Sequence, residues 1–188
     1  MNAQQKVEIF RKELDYINDN RIKEVVTEIL GELPDYFFTV AASSTGKYHP
    51  KMSLGEGGLV RHTKAAVQIA MDLIKLEMFK PLENYFDYLI GCLILHDGLK
   101  HGNPEEKYTR ADHPVIMSEF IKSFEVDGDF LKTQILGILA GGVLTHMGQW
   151  NSDYKTNRIL MPKPVTKFQS LVHLCDYLAS RKYIEMEF

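Results

Sequence analysis

The chain has 188 residues, 45% of them apolar and 25% charged, and a formal net charge of -3 at neutral pH. That length and apolar content support one folded domain with a real core. The mild negative charge excludes a broad nucleic-acid-coating surface, while leaving room for a local basic pocket.

The dominant period is helical. From Gln4 to Ile17, apolar residues fall at Val7, Ile9, Phe10, Leu14 and Ile17, a stripe on one helix face. A second helix is expected from Arg21 to Leu30, ended by Gly31 and Pro34. "PDYFFTVAAS" reads as a further short helix. The stretch "SSTGKYHPKMSLGEGGL", with Pro50 and several glycines, reads as a loop. Helical periodicity resumes at Leu59 and runs to Phe79, and Pro81 marks the junction to a helix over Glu83–Leu95. Gly98 is the natural stop for that helix. Asp112 reads as the N-cap of a helix opening at His113-Pro114 and running to Phe124, because proline is tolerated in a first turn. Further helices are expected over Phe130–Thr145 and Val165–Arg181, with loop between them. No strand pattern, repeat or low-complexity tract is present. The expected fold is all-α, a bundle of about six to seven helices. It forms a single domain over 1–188, with an N-terminal helical segment (1–45) packed on a core (54–181).

The N-terminus is too charged for a signal peptide, and no apolar run approaches the roughly 18 residues of a membrane span. Cys92 and Cys175 sit in apolar contexts and read as small core residues, not a disulfide framework. The protein is expected to be soluble and cytoplasmic, with no membrane partner.

Several ionisable residues fall where their neighbours are apolar. His96 and Asp97 close the run "LILHDGLKHG", and Asp176 sits within "LVHLCDYLAS". Burying an unpaired carboxylate costs several kcal/mol, so such a group has a cation, a hydrogen-bond partner or a metal. His62 and His113 open helices, and His146 closes one. Taken singly, each has an ordinary reading: His62 as a polar helix start, His113 and His146 as surface groups, Asp97 as a carboxylate disfavoured by the helix dipole. Jointly, four histidines and two aspartates suffice for two divalent ions sharing a bridging carboxylate. The donor set suits Mn, Fe, Ni, Co or Zn, and Mg is a further candidate. Two such ions lower the pKa of a shared water and neutralise charge developing on phosphate oxygens.

The order His … His-Asp … His … His … Asp, carried by "GGLVRHT", "LILHDGLKHG", "DHP", "LTHMGQW" and "HLCDYLAS", resembles the HD-domain phosphohydrolase superfamily over Leu54–Arg181. Its closest similarity is to the HD module of bacterial 3'-5' exoribonucleases and to two-metal HD phosphodiesterases. The resemblance implies that His62, His96, Asp97 and Asp176 bind one ion, and that His113 and His146, with Asp97 as the bridge, bind a second. Asp97 and Lys100 are then the catalytic pair. The family's usual His-Asp-Leu-Gly-Lys appears here with Gly98 and Leu99 transposed, and Lys100 still falls three residues after Asp97. The implied activity is hydrolysis of a phosphodiester or phosphomonoester of a nucleotide or short oligonucleotide by a bridging hydroxide. The alternative is a non-catalytic nucleotide- or metal-binding regulatory module. Lys47, Arg61, Arg110 and Trp150 are the candidate substrate-binding residues, with Arg181 a further possible pocket residue. His49 and His173 carry no comparable argument and are not assigned as ligands; His173, three residues before Asp176, supports that site or the core.

Overall fold

The computed structural model describes residues 1–43 and 46–184. Ser44 and Thr45 of the expected loop lie outside the described residues. Nine α-helices are present among the described residues and no strand, only an isolated bridge between Ser152 and Ile159. They are α1 (Ala3–Ile9), α2 (Arg11–Leu14), α3 (Asn20–Glu32), α4 (Tyr36–Thr39), α5 (Gly58–Leu73), α6 (Phe86–Leu95), α7 (His113–Lys122), α8 (Phe130–Leu144) and α9 (Lys167–Ala179). Two 3₁₀ turns, Lys51–Ser53 and Glu77–Tyr85, complete the set.

The all-α expectation holds, with more and shorter helices than the sequence implied. The first expected helix is broken at Phe10, which leaves helical geometry and is fully buried. Its ring packs against Phe37 at 5.9 Å, and Phe37 meets Phe38 edge-on at 5.0 Å. The helix beginning at Gly58 stops at Leu73, short of the expected Phe79: the chain turns extended at Leu76 and then runs in 3₁₀ geometry over Glu77–Tyr85, with Pro81 inside that stretch.

Helix α6 forms the centre. Leu89, Ile90, Cys92, Leu93, Ile94 and Leu95 are all buried, and α3, α5, α8 and α9 flank it. A helix apolar on every side belongs in the interior. α7 packs on α8, and α5 on α9. The N-terminal elements attach through α1 on α3 and α2 on α6. Lys64 Nζ of α5 also donates to the Ile9 carbonyl and the Glu13 carboxylate, both at 2.7 Å.

Two local expectations are corrected. Gly98 does not stop α6 in the left-handed conformation, since its φ is not positive. Its reason is close packing: a Cβ there would lie 2.7 Å from Leu33 Cδ2 and 3.0 Å from Met117 Sδ. Asp112 does not cap α7 through its side chain. Its carboxylate instead takes both arms of the Arg110 guanidinium, at 2.8 and 2.9 Å, a stronger charge-assisted pair. No helix among the described residues is long and apolar enough to cross a membrane.

Candidate metal centre

The last turn of α6 delivers His96 and Asp97 into the interior. The chain continues in tight turns, with Gly98 N–H donating to Leu95 and Lys100 N–H to Asp97. Asp97 is only 1% exposed and lies at a helix C-terminus, where the dipole disfavours a carboxylate. Its compensation comes from five other side chains. Lys100 Nζ sits 2.5 Å from Oδ2. His96 and His62 Nε2 lie 3.4 and 3.7 Å from the same oxygen. His113 and His146 Nε2 lie 3.0 and 3.6 Å from Oδ1.

The six residues singled out from the sequence converge as two groups. His62, His96 and Asp176 form one, and Asp97, His113 and His146 the other; within each, the donor atoms lie within 4.8 Å of one another. Asp176 Oδ1 is 3.0 Å from His62 Nε2 and 3.5 Å from His96 Nε2. The Asp97 carboxylate stands between the groups, with Oδ2 toward the first and Oδ1 toward the second. Five elements supply the set: α5 gives His62, the end of α6 gives His96 and Asp97, α7 gives His113, the end of α8 gives His146, and α9 gives Asp176.

The imidazoles are oriented by the backbone. Nδ1 of His96, His113 and His146 each lies 2.7 Å from a carbonyl three residues earlier, that of Leu93, Arg110 and Val143 respectively. A carbonyl only accepts, so Nδ1 carries the proton and Nε2 of a neutral ring presents a lone pair. Yet His62 Nε2 faces His96 Nε2 at 3.3 Å, and His113 Nε2 faces His146 Nε2 at 3.1 Å. Lone pairs at that separation repel unless a proton or a cation joins them. His62 Nδ1 is buried without a partner. Converging imidazole and carboxylate donors with no thiolate fit a borderline-to-hard divalent cation. Each group could hold a metal ion.

Charge balance points the same way. Burial works to raise Asp97, but the Lys100 and His96 charges outweigh it and hold it well below the usual carboxylate range. Burial likewise opposes ionisation of Asp176, and hydrogen bonds from His62 and His96 outweigh it. Burial pushes His62 and His113 below the ordinary histidine value. His96 goes the other way: burial disfavours its charge, but Asp97 and Asp176 push it up to about 10. Two interior carboxylates demand positive charge, and without a metal the cluster retains a proton on His96 to supply it.

A cavity of about 540 Å³ opens onto Asp97, His113 and Asp176. Lys100 and Trp150 line it, as do Arg181 and Tyr48. Trp150 is 45% exposed and stacks on Tyr177, with ring centroids 5.5 Å apart and planes at 15°. His49 also lines the cavity, a residue that sequence reasoning left out. Its ring stands edge-on to His62 at 5.3 Å, and its buried Nδ1 has no partner. Burial, with the nearby His62 and Lys100 charges, lowers its pKa to about 3 and keeps it neutral. The only local signal was its place in the Gly- and Pro-punctuated loop before His62. His173 supports the centre from behind, its Nδ1 donating to the His146 carbonyl at 2.7 Å.

Of the four candidate substrate-binding residues, the structure brings Trp150 to the cavity. Arg61 faces away: its guanidinium donates to the carbonyls of Met52, Leu54 and Glu56 and clamps the turn before α5. Adjacent helical residues point about 100° apart, so its place beside His62 does not put it in the site. Arg110 pairs with Glu106 and Asp112. It serves the centre through its carbonyl, which orients His113. The Lys47 ammonium lies over the Tyr48 ring, 5.1 Å from its centroid.

Comparison with protein-family models, curated proteins and solved structures finds no match to this chain.

Proposed function

We propose that this chain is a metal-dependent phosphohydrolase of the HD-domain type, acting on a phosphodiester or phosphomonoester of a nucleotide or short oligonucleotide. The observation that carries this reading is the Asp97 carboxylate, whose two oxygens face two separate imidazole groups. His62, His96 and Asp176 would hold one divalent ion, His113 and His146 the second, with Asp97 shared between them. Such a pair, when bound, supplies Lewis-acid activation of water and charge neutralisation at a phosphoryl group.

The chain's own residues do the rest. Carbonyls of Leu93, Arg110 and Val143 hold three imidazoles in the donor tautomer, as outer partners do in metal sites. Lys100 lines the cavity beside Asp97, where its ammonium can meet a phosphoryl oxygen as charge develops. The cavity of about 540 Å³ has room for a nucleotide-sized group beside these residues. Buried free thiols at Cys92 and Cys175 accord with a reducing, cytoplasmic setting.

The test is metal content of the purified protein, then hydrolysis of p-nitrophenyl phosphate and bis-p-nitrophenyl phosphate with Mn, Ni, Co or Mg. Wild type is expected to bind close to two ions and hydrolyse at least one ester. Asp97→Ala, its helical content checked by circular dichroism, is expected to lose both properties. A folded wild type that takes up no ion and cleaves neither ester overturns the reading.

A further inference from the structure

At the end of α9, Arg181 lines the cavity that opens onto Asp97 and Asp176. Its guanidinium is fixed on one side: Nε donates to the Tyr177 carbonyl at 3.2 Å, Nη2 donates to Ser180 Oγ at 2.8 Å, and Cζ lies 4.3 Å from the Tyr177 ring centroid. Among the described residues, Nη1 has no acceptor and the group has no carboxylate partner. Its neighbours differ in this respect. Lys100 is paired with Asp97, Arg110 with Glu106 and Asp112, and Arg61 is spent on loop carbonyls. A cavity-lining guanidinium held flat with one edge unengaged is preorganised for a planar oxyanion contact.

Its position sets what that anion is. Arg181 follows the C-terminal end of α9 at Ala179, and its guanidinium makes no ion pair with Asp97 or Asp176, whose carboxylates face the imidazoles and Lys100. An anion on Arg181 is therefore held by a cation that none of the carboxylates of the metal centre engages. Tyr177, against which the Arg181 guanidinium lies, also carries Trp150 stacked on it, and Trp150 is half exposed. An exposed indole on a cavity wall is a stacking platform for a nucleobase.

We infer that Arg181 is a specificity-determining residue for a second phosphoryl group, so that the preferred substrate class is a nucleotide bearing two phosphoryl groups with its base against Trp150. The inference rests on the phosphohydrolase reading of the metal centre. Lys100 and the metal charges serve the phosphoryl group that reacts, and Arg181 supplies the countercharge for the one that does not.

Trp150 is the only tryptophan of the chain, so its emission reports directly on cavity occupancy. The experiment titrates Mg-loaded protein, excited at the red edge of indole absorption, with four probes. They are adenosine, adenosine 5′-monophosphate, its α,β-methylene diphosphate analogue and adenosine 3′,5′-bisphosphate. At least one two-phosphate probe should bind ten-fold or more tighter than the monophosphate, and adenosine weakest. In Arg181→Gln that preference should collapse toward unity, and Arg181→Lys should restore part of it. A purely structural role for Arg181 would weaken all probes alike, and that outcome overturns the inference. So do equal affinities for one and two phosphates in wild type, and an emission that no probe changes. Failure of the underlying reading shows separately, as absence of bound metal and of aryl phosphate hydrolysis.

Discussion

The Nε2 atoms of His113 and His146 lie 3.1 Å apart, although each ring has already committed its Nδ1 proton to a carbonyl. Two lone pairs in that geometry are a liability that a shared cation removes. Cobalt(II) titration, read by visible absorption, should therefore saturate near two equivalents in wild type. His146→Ala should retain one equivalent on His62, His96 and Asp176, while Asp97→Asn weakens both sites because its carboxylate faces both groups. A His146→Ala protein that still takes up two ions with unchanged affinity would disprove the division of ligands.

Acid should destabilise the metal-free protein well before its carboxylates titrate. Burial holds His62 and His113 below their ordinary values, and His49 is lowered to about 3. Unfolded histidines take up protons near pH 6.5, so as pH falls below that the unfolded state binds three protons that the folded state refuses. His96 is protonated in both states there and adds no slope. Its raised pKa stabilises the fold fully below about 6.5, and that contribution is lost as pH rises toward about 10. The depressed Asp97 and Asp176 add further loss below about pH 4. The melting temperature in EDTA should peak near neutrality and fall toward pH 5. A melting temperature that is flat or rising toward pH 5 contradicts this account.

Metal affinity should rise with pH over the same range. Ligation requires His96 without its Nε2 proton, and the metal-free cluster holds that proton up to about pH 10. Isothermal titration with Zn(II) in buffers of different ionisation enthalpy should show proton release near neutral pH. Binding without proton release would mean that His96 is already neutral in the metal-free protein.

Lys100→Met separates charge from packing, since methionine keeps the apolar stem. Removing the ammonium leaves the Asp97 carboxylate less compensated, so divalent cations should bind at least as tightly as in wild type. Turnover should fall by about 10²-fold, the scale of losing one positioned charge at a phosphoryl group. A parallel loss of metal and activity would instead make Lys100 a scaffold for Asp97.

The clustering of Asp97 and Asp176 with histidines was legible in part because charge inside an apolar helix forces a partner, each carboxylate sitting among residues that declared themselves core, while the four histidines were singled out by the order of the motifs. Helix interiors were legible for the same reason of periodicity, as in α3 and α9, whose apolar stripes are buried. What escaped depended on contacts distant in the chain. His49 comes from a loop, where periodicity says nothing about which way a ring points. Arg61 drew notice by adjacency to His62, yet helical geometry turned it onto the carbonyls of Met52, Leu54 and Glu56. The Asp112 carboxylate had two competing uses, and the guanidinium two residues away outweighed the backbone amides. The Gly98-Leu99 order also became intelligible only in three dimensions. Gly98 passes Leu33 and Met117 at close range, and Leu99 is buried, so the glycine stands where space is absent.

The same reasoning predicts where a single methyl group should uncouple the loop from the metal centre. A Cβ on Gly58 would lie 2.3 Å from the Ser53 carbonyl oxygen and 3.1 Å from Ala41 Cα, both backbone atoms with no rotamer to escape into. The segment is held there by the Gly57 N–H on the Thr39 carbonyl at 2.8 Å and the Leu59 N–H on the Val40 carbonyl at 3.0 Å. Gly58→Ala must therefore push the turn away from α4, at a cost of about 1–3 kcal/mol typical of overpacking. Because Gly58 opens the helix that carries His62, the displacement should also reach the first ligand group before the second. Denaturant melts should show the lower midpoint, and cobalt titration should show one weakened equivalent beside one of wild-type strength. Equal weakening of both equivalents would place the damage at Asp97, whose oxygens serve both groups, and not at His62.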